Sequence, residues 1–268
     1  MQLRRIVIWL IGVMALAVTP LQAAEFSPKV NSLEECPGSI FTQAARVFGV
    51  LLVCATDGVP AVKLEHAARV AGAWLDNDLD GRADEPRLIA RLRTAGAIVV
   101  MSHEGFPDGI LENALADEDP DQFVFQDLAA VETMPASGRD ATQEEIHHII
   151  VNAGWSRLFP NTFGDQTDSR STMVRLWQKA EAGGHYSYND ETCDAACKSV
   201  EFHYLAAAAY LGSDADLETD EMLLKSRAEL RAALPGIIKV FESSWYHYPR
   251  HHWPDGQYRF DKVIAFNP

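Results

Sequence analysis

The apolar positions of this chain change period several times. From Phe48 to Ala55 they form a continuous, β-branched run (F-G-V-L-L-V-C-A), closed by Asp57-Gly58, which predicts a buried strand. After Pro60 the spacing turns helical: Val62, His66, Ala67, Val70, Ala71 and Trp74 share a face, so a helix runs to about Leu75. Leu88, Ile89, Leu92 and Ala95 mark a second helix, which Gly96 stops. Ala97 to Met101 reads as a second strand, and Phe123-Val124-Phe125 as a third with one exposed side. Between them, Ser102 to Gln122 carries Pro107, Gly109 and several acids, and is expected to be a loop with at most one helical turn. The second half is helical over roughly 142–154, 169–182, 196–211 and 221–243. The tail from Trp245 to Pro268 is aromatic and histidine-rich without clear period, and is expected to wrap over the core. The pattern is that of an α+β fold: a small N-terminal sheet with helices in residues 25–141, then a mostly helical half in 142–268.

Residues 1–24 stand apart. Arg4 and Arg5 precede an apolar run from Ile6 to Val18, and Leu21-Gln22-Ala23-Ala24 offers small residues for cleavage, the make-up of a secretory signal. No later apolar run is long enough to span a bilayer, so the expected location is periplasmic or secreted, with no stable membrane insertion after cleavage. The 268 residues, 47% hydrophobic, suffice for one large domain or two intimate ones. Net charge is -15, and losing Arg4 and Arg5 makes the mature chain more acidic still. Such a surface repels nucleic acid and anionic lipid and favours divalent metals and neutral or cationic partners. Cys36, Cys54, Cys193 and Cys197 form an even set, for which Cys193–Cys197 and Cys36–Cys54 are the simplest of three pairings in an oxidising compartment.

Two segments carry candidate chemistry. The first, Asp76-Asn77-Asp78-Leu79-Asp80-Gly81-Arg82-Ala83-Asp84, matches D-x-D-x-D-G-x-x-D between two helices. Alternate Asp side chains converge on one calcium ion there, Gly81 permits the turn, the Arg82 carbonyl ligates and Asp84 acts through water. The twelfth position is Arg87 where an EF-hand has a bidentate Glu, and Glu85 is the candidate substitute. Calcium at this loop would stabilise the fold and take no part in catalysis.

The second is Glu144-Glu145-Ile146-His147-His148 at the start of a helical stretch. It has the register of H-E-x-x-H, in which ligands four residues apart share a helix face and the Glu after the first activates water. Glu144 and His148 are then the ligands and Glu145 the general base, with His147 the alternative histidine. Thr142 with Glu145 also fits a capping box, while Asp140 with Gln143 offers an equivalent cap that frees Glu145. The third ligand expected is Glu201, an isolated acid among Val200, Phe202, Leu205 and Tyr210, where an unpaired carboxylate costs several kcal/mol. A di-iron site would need a second E-x-x-H on a partner helix, and none exists.

With these residues the chain resembles the gluzincin metallopeptidases, most closely the lethal-factor-like group, in which a Glu before Phe on a downstream apolar helix is the third zinc ligand. Val200-Glu201-Phe202 and its Ala-rich continuation look like that helix. The resemblance runs over about Glu144 to Phe241 and implies a zincin-like fold, zinc held by Glu144, His148 and Glu201, Glu145 as base, and a peptide or protein substrate. This sequence departs from the family in having Glu144 where the pattern has His. The family's tyrosine before the third ligand has no clean counterpart, leaving Tyr188, Tyr186 and His185 as candidates to polarise a carbonyl. The alternative function is a noncatalytic calcium-binding interaction module on the same scaffold.

Overall fold

The computed structural model describes residues 32–165 and 170–267, so the expected signal segment lies outside the described residues. The fold is α+β. Strands β1 (Phe41–Val47), β2 (Leu51–Thr56), β3 (Ala97–Ser102), β4 (Val124–Ala129) and β5 (Ile264–Asn267) make one sheet in the order β4-β3-β2-β1-β5. β1 is antiparallel to β2 and β5, while β2, β3 and β4 run parallel. The expected strand at Phe48–Ala55 begins later, at Leu51. Phe48 and Gly49 take φ of 49° and 69° in the tight turn that joins β1 to β2, and β1 itself is hidden in the sequence by its alanines and by Arg46.

Helices α1 (Ala61–Leu75) and α2 (Pro86–Ala95) fill the β2-to-β3 crossover, as the periodicity predicts. α2 stops because Gly96 takes the left-handed conformation at φ 60°. The five-residue α3 (Ile110–Ala114) is the short helical turn expected within that loop. Next come α4 (Thr142–Ile150), prolonged by a π turn over Val151–Trp155, then the short α5 (Ser156–Leu158) and α6 (Pro160–Phe163), α7 (Thr172–Ala182) and α8 (Ala195–Leu211). The single helix expected over 221–243 is instead α9 (Arg227–Ala233) and α10 (Pro235–Phe241), because Pro235 cannot extend α9 and opens α10.

The sheet is buried on both faces. Ala45, Val47, Leu51, Val53, Val99 and Met101 face the main core with α1, α4 and α8. Phe41, Ala44, Leu52, Cys54, Ile98 and Val100 form a smaller core under Cys36, Phe106 and Leu111. This double burial is why β2 and β3 read as unbroken apolar runs. Both disulfides have the simplest pairing, Cys36–Cys54 and Cys193–Cys197. The first fastens the N-terminal segment over the smaller core. No helix among the described residues is long and apolar enough to cross a membrane.

The tail does wrap the core, with a strand at its end. Asn77, fully buried, accepts from the backbone N–H of Arg250, His251 and His252 (2.9, 2.7 and 3.2 Å) and donates to the His252 carbonyl. Tyr258 crosses α1 at Gly72, where a Cβ would lie 2.6 Å from the ring, and reaches Asp76. β5 then pairs with β1, so the two halves of the chain share one sheet.

Candidate metal centre

α4 and α8 carry the cluster. Each has an i, i+4 geometry that stacks side chains on one face, and they bring Glu144, His148 and Glu201 together with their ligand atoms all within 4.8 Å of one another. All three are buried, 7–9% exposed. His148 Nε2 lies 3.5 Å from Glu201 Oε1, and among the described residues it has no hydrogen-bond partner of ordinary geometry. A buried imidazole nitrogen 3.5 Å from one carboxylate, and grouped with a second, is a donor set that fits a divalent cation of the zinc type.

Neither capping box forms. Ala141 is the N-cap of α4, Asp140 Oδ1 accepts from the Thr142 N–H at 3.0 Å, and Asp140 Oδ2 pairs with His66 Nε2 at 2.7 Å. Glu145 is therefore free of capping duty. Its Oε2 accepts from Gln126 Nε2 at 2.5 Å and lies 3.4 Å from His148 Nδ1. Glu145, His148 and Glu201 line one open cavity of about 380 Å³ with Gln126, Asn152 and Cys197.

His147 turns away, sharing a 3.0 Å hydrogen bond with the Tyr248 hydroxyl and packing on Trp74 and His203. Of the three tyrosine-region candidates, Tyr186 donates its hydroxyl to the Lys198 carbonyl at 3.1 Å. His185 lies against Gly183, outside the cluster. Tyr188 is half-buried, and its hydroxyl is pushed up by burial and then by the charges of Glu201 and Glu144. None of the three lines the cavity.

Arg139, which sequence reading overlooked because it lies in a loop five residues before the motif, forms an ion pair with Glu144 and another, at 3.2 Å, with Asp216. Asp216 also accepts from the Tyr204 hydroxyl, and the guanidinium stands 5.4 Å over the Tyr204 ring. The electrostatics follow from crowding. Burial raises the Glu144 carboxyl to about 8 against the pull of His148 and Arg139. Burial also works against Glu201, but the His148 hydrogen bond and charge outweigh it and hold that group below its ordinary value. Burial lowers His148, yet Glu145 and Glu201 overcome it and leave the imidazole raised to about 10. The acids around His148 thus favour its protonated form, and a cation held in the cluster would compete with that proton.

In the acidic loop the cluster is narrower than the sequence implies: Asp76, Asp78 and Asp84 gather their oxygens within 4.8 Å. Asp76 is fully buried and accepts from the Asp80 and Gly81 N–H groups (3.0 and 2.8 Å) and from the Tyr258 hydroxyl (2.6 Å). Asp80 instead turns its Oδ1 to the Arg82 N–H at 2.8 Å and stays out of the cluster, and both residues line the adjoining cavity. Glu85 is not a substitute ligand, because it caps α2 and pairs with Arg87. Burial, with help from neighbouring acids, raises Asp84 to about 6. No protein-family model, no curated protein and no solved structure matches this chain.

Proposed function

We propose that this chain is an exported, zincin-like metallopeptidase whose zinc is held by Glu144, His148 and Glu201. The observation that carries this reading is the convergence of those three groups on two helices, with the buried His148 Nε2 3.5 Å from Glu201 and Glu145 beside them in an open cavity. A divalent ion supplies Lewis-acid polarisation of a carbonyl oxygen and makes water more acidic. Glu145, the most accessible of the motif's acids, takes the proton from water and passes it to the leaving amine. Gln126 holds the carboxylate of Glu145 in place from β4. Because β4 is at the edge of the sheet, an extended peptide laid along it would bring its backbone past Glu145.

Asp76, Asp78 and Asp84 are proposed to hold calcium as a fold staple, since three clustered acids, two of them raised by burial, are relieved by a hard cation with oxygen preference. The Arg139–Glu144 ion pair favours a second reading, in which Arg139 occupies the place of a metal and the protein is a calcium-binding interaction module. Elemental analysis separates the two: about one zinc per chain supports the enzyme, and calcium alone supports the module. Catalysis is tested by Glu145→Gln, which is expected to abolish peptide cleavage with zinc content unchanged. Retained cleavage would remove Glu145 from the role of base.

A further inference from the structure

The disulfide Cys193–Cys197 reaches this same cavity through Cys197. Cys197, half-buried, lines it together with Glu145, His148 and Glu201, and is bonded to Cys193 in the turn before α8. On α8 it precedes Glu201 by four residues, so the two share a helix face one turn apart. Side chains on a helix lean toward its N-terminus, which carries Glu201 in the direction of Cys197. Glu144 and His148 have the same spacing on α4. The cavity thus takes Glu145 and His148 from α4 and Cys197 and Glu201 from α8, and of these four the Cys197 sulfur is engaged with Cys193.

We propose that this disulfide is a redox gate on the metal centre: its reduction frees Cys197 as a fourth metal ligand and closes the position a substrate carbonyl needs. The proposal rests on the metal reading of Glu144, His148 and Glu201. A dithiol reductant passes two electrons and two protons to the Cys193–Cys197 bond, giving two thiols and leaving the reductant as its own disulfide. The Cys197 thiol then loses its proton to solvent as its sulfur binds the metal. Four-ligand sites with thiolate are the closed, tight kind, whereas three-ligand sites keep a place open for chemistry. The helix start does not depend on the disulfide, because Asp194 Oδ1 accepts from the Cys197 N–H at 2.9 Å and the Asp194 carbonyl accepts from the Lys198 N–H at 2.9 Å.

Cobalt(II) tests this on the full mature chain, since a cobalt–thiolate bond adds a charge-transfer band in the near ultraviolet. The expected result is cobalt bound without the band in the oxidised protein and in Cys193→Ser/Cys197→Ser. The band is expected in the reduced protein and in Cys193→Ser kept under a non-thiol reductant. Metal affinity should rise roughly tenfold or more with the band, and peptide cleavage should fall. Adding His148→Ala to Cys193→Ser should abolish the band if the thiolate binds at this centre. Cobalt uptake by the reduced protein with no band overturns the gate and leaves the three-ligand centre standing, the disulfide then being a staple alone. No cobalt uptake by the oxidised protein, or uptake left unchanged by His148→Ala, overturns the three-ligand centre itself.

Discussion

A carboxylate at position 144 brings one more negative charge than an imidazole would, and Arg139 offsets it. A divalent ion with Glu144, Glu201 and the Arg139 guanidinium leaves the same single net positive charge as an ion with two imidazoles and one carboxylate. Arg139 also supports Asp216 and the buried Tyr204 hydroxyl, so it belongs to the fold as much as to the site. Arg139→Met is expected to cost about 3–5 kcal/mol in metal-free protein, the usual penalty for stranding a buried charge. Zinc should recover part of that loss by giving Glu144 another cation. Thermal unfolding with and without zinc checks this, and an equal loss in both states would show that no cation reaches Glu144. At this scale the three grouped side chains were legible because Glu144 and His148 are spaced within one helix and Glu201 is an isolated acid on another. Arg139 was not, because its partners lie on α4 and in the segment after α8, and nothing in a loop arginine's neighbours announces them.

The elements divide into those fixed by local chemistry and those fixed by packing. α1 and α2 were legible from period and from the Gly96 stop, because each presents an apolar stripe to the core. β1 and β5 were not, since a strand of alanines or four residues of tail becomes a strand only when another strand offers its backbone. The acidic loop ties these elements together. Asp76 holds Tyr258, and Asn77 holds the tail at Arg250 to His252, so the loop's geometry sets the path of the C-terminal segment toward β5. Calcium is therefore expected to raise the melting temperature and a chelator to lower it, with Asp78→Asn and Asp84→Asn blunting the response. No shift in a chelator titration by calorimetry would leave the loop as a hydrogen-bonded turn. The sequence pattern D-x-D-x-D-G spoke for five ligating positions with Glu85 as a sixth candidate, but Asp80 is drawn off by the Arg82 N–H and Glu85 by Arg87. Competition of this kind between backbone and ion for the same oxygens is settled only by the folded loop.

Across the whole molecule, the core behind the Glu144, His148 and Glu201 cluster is aromatic and holds two buried histidines. His203 stacks against Phe163, Phe241 and Tyr248, with neither nitrogen partnered among the described residues. Burial, then the charge of His148, lowers it to about 3, and His147 is likewise lowered well below its ordinary value, first by burial. Both are neutral when folded and titrate near 6.5 when unfolded, at about that value for a free imidazole. Their contribution is complete above pH ~6.5 and declines as pH falls below it, for His203 down to about 3, because the unfolded chain binds the protons the folded one refuses. Urea unfolding from pH 7 to 4 should reveal this decline, and His203→Phe, which keeps the ring stack, should make it shallower. An unchanged slope in that variant would mean that His203 is charged in the folded protein.

What the sequence determined by itself was everything that depends on neighbours in the chain: the apolar runs of β2 and β3, the helical period of α1, α2 and α8, the i, i+4 pair of Glu144 and His148, and the isolated acid at Glu201. Only the tertiary structure decided which histidine faces Glu201, that Glu145 is free of capping, that Arg139 pairs with Glu144, and that Cys197 lies on the wall of the same cavity. These are contacts between segments far apart in sequence, and their energies depend on burial and distance, quantities that a pattern of residue types does not contain.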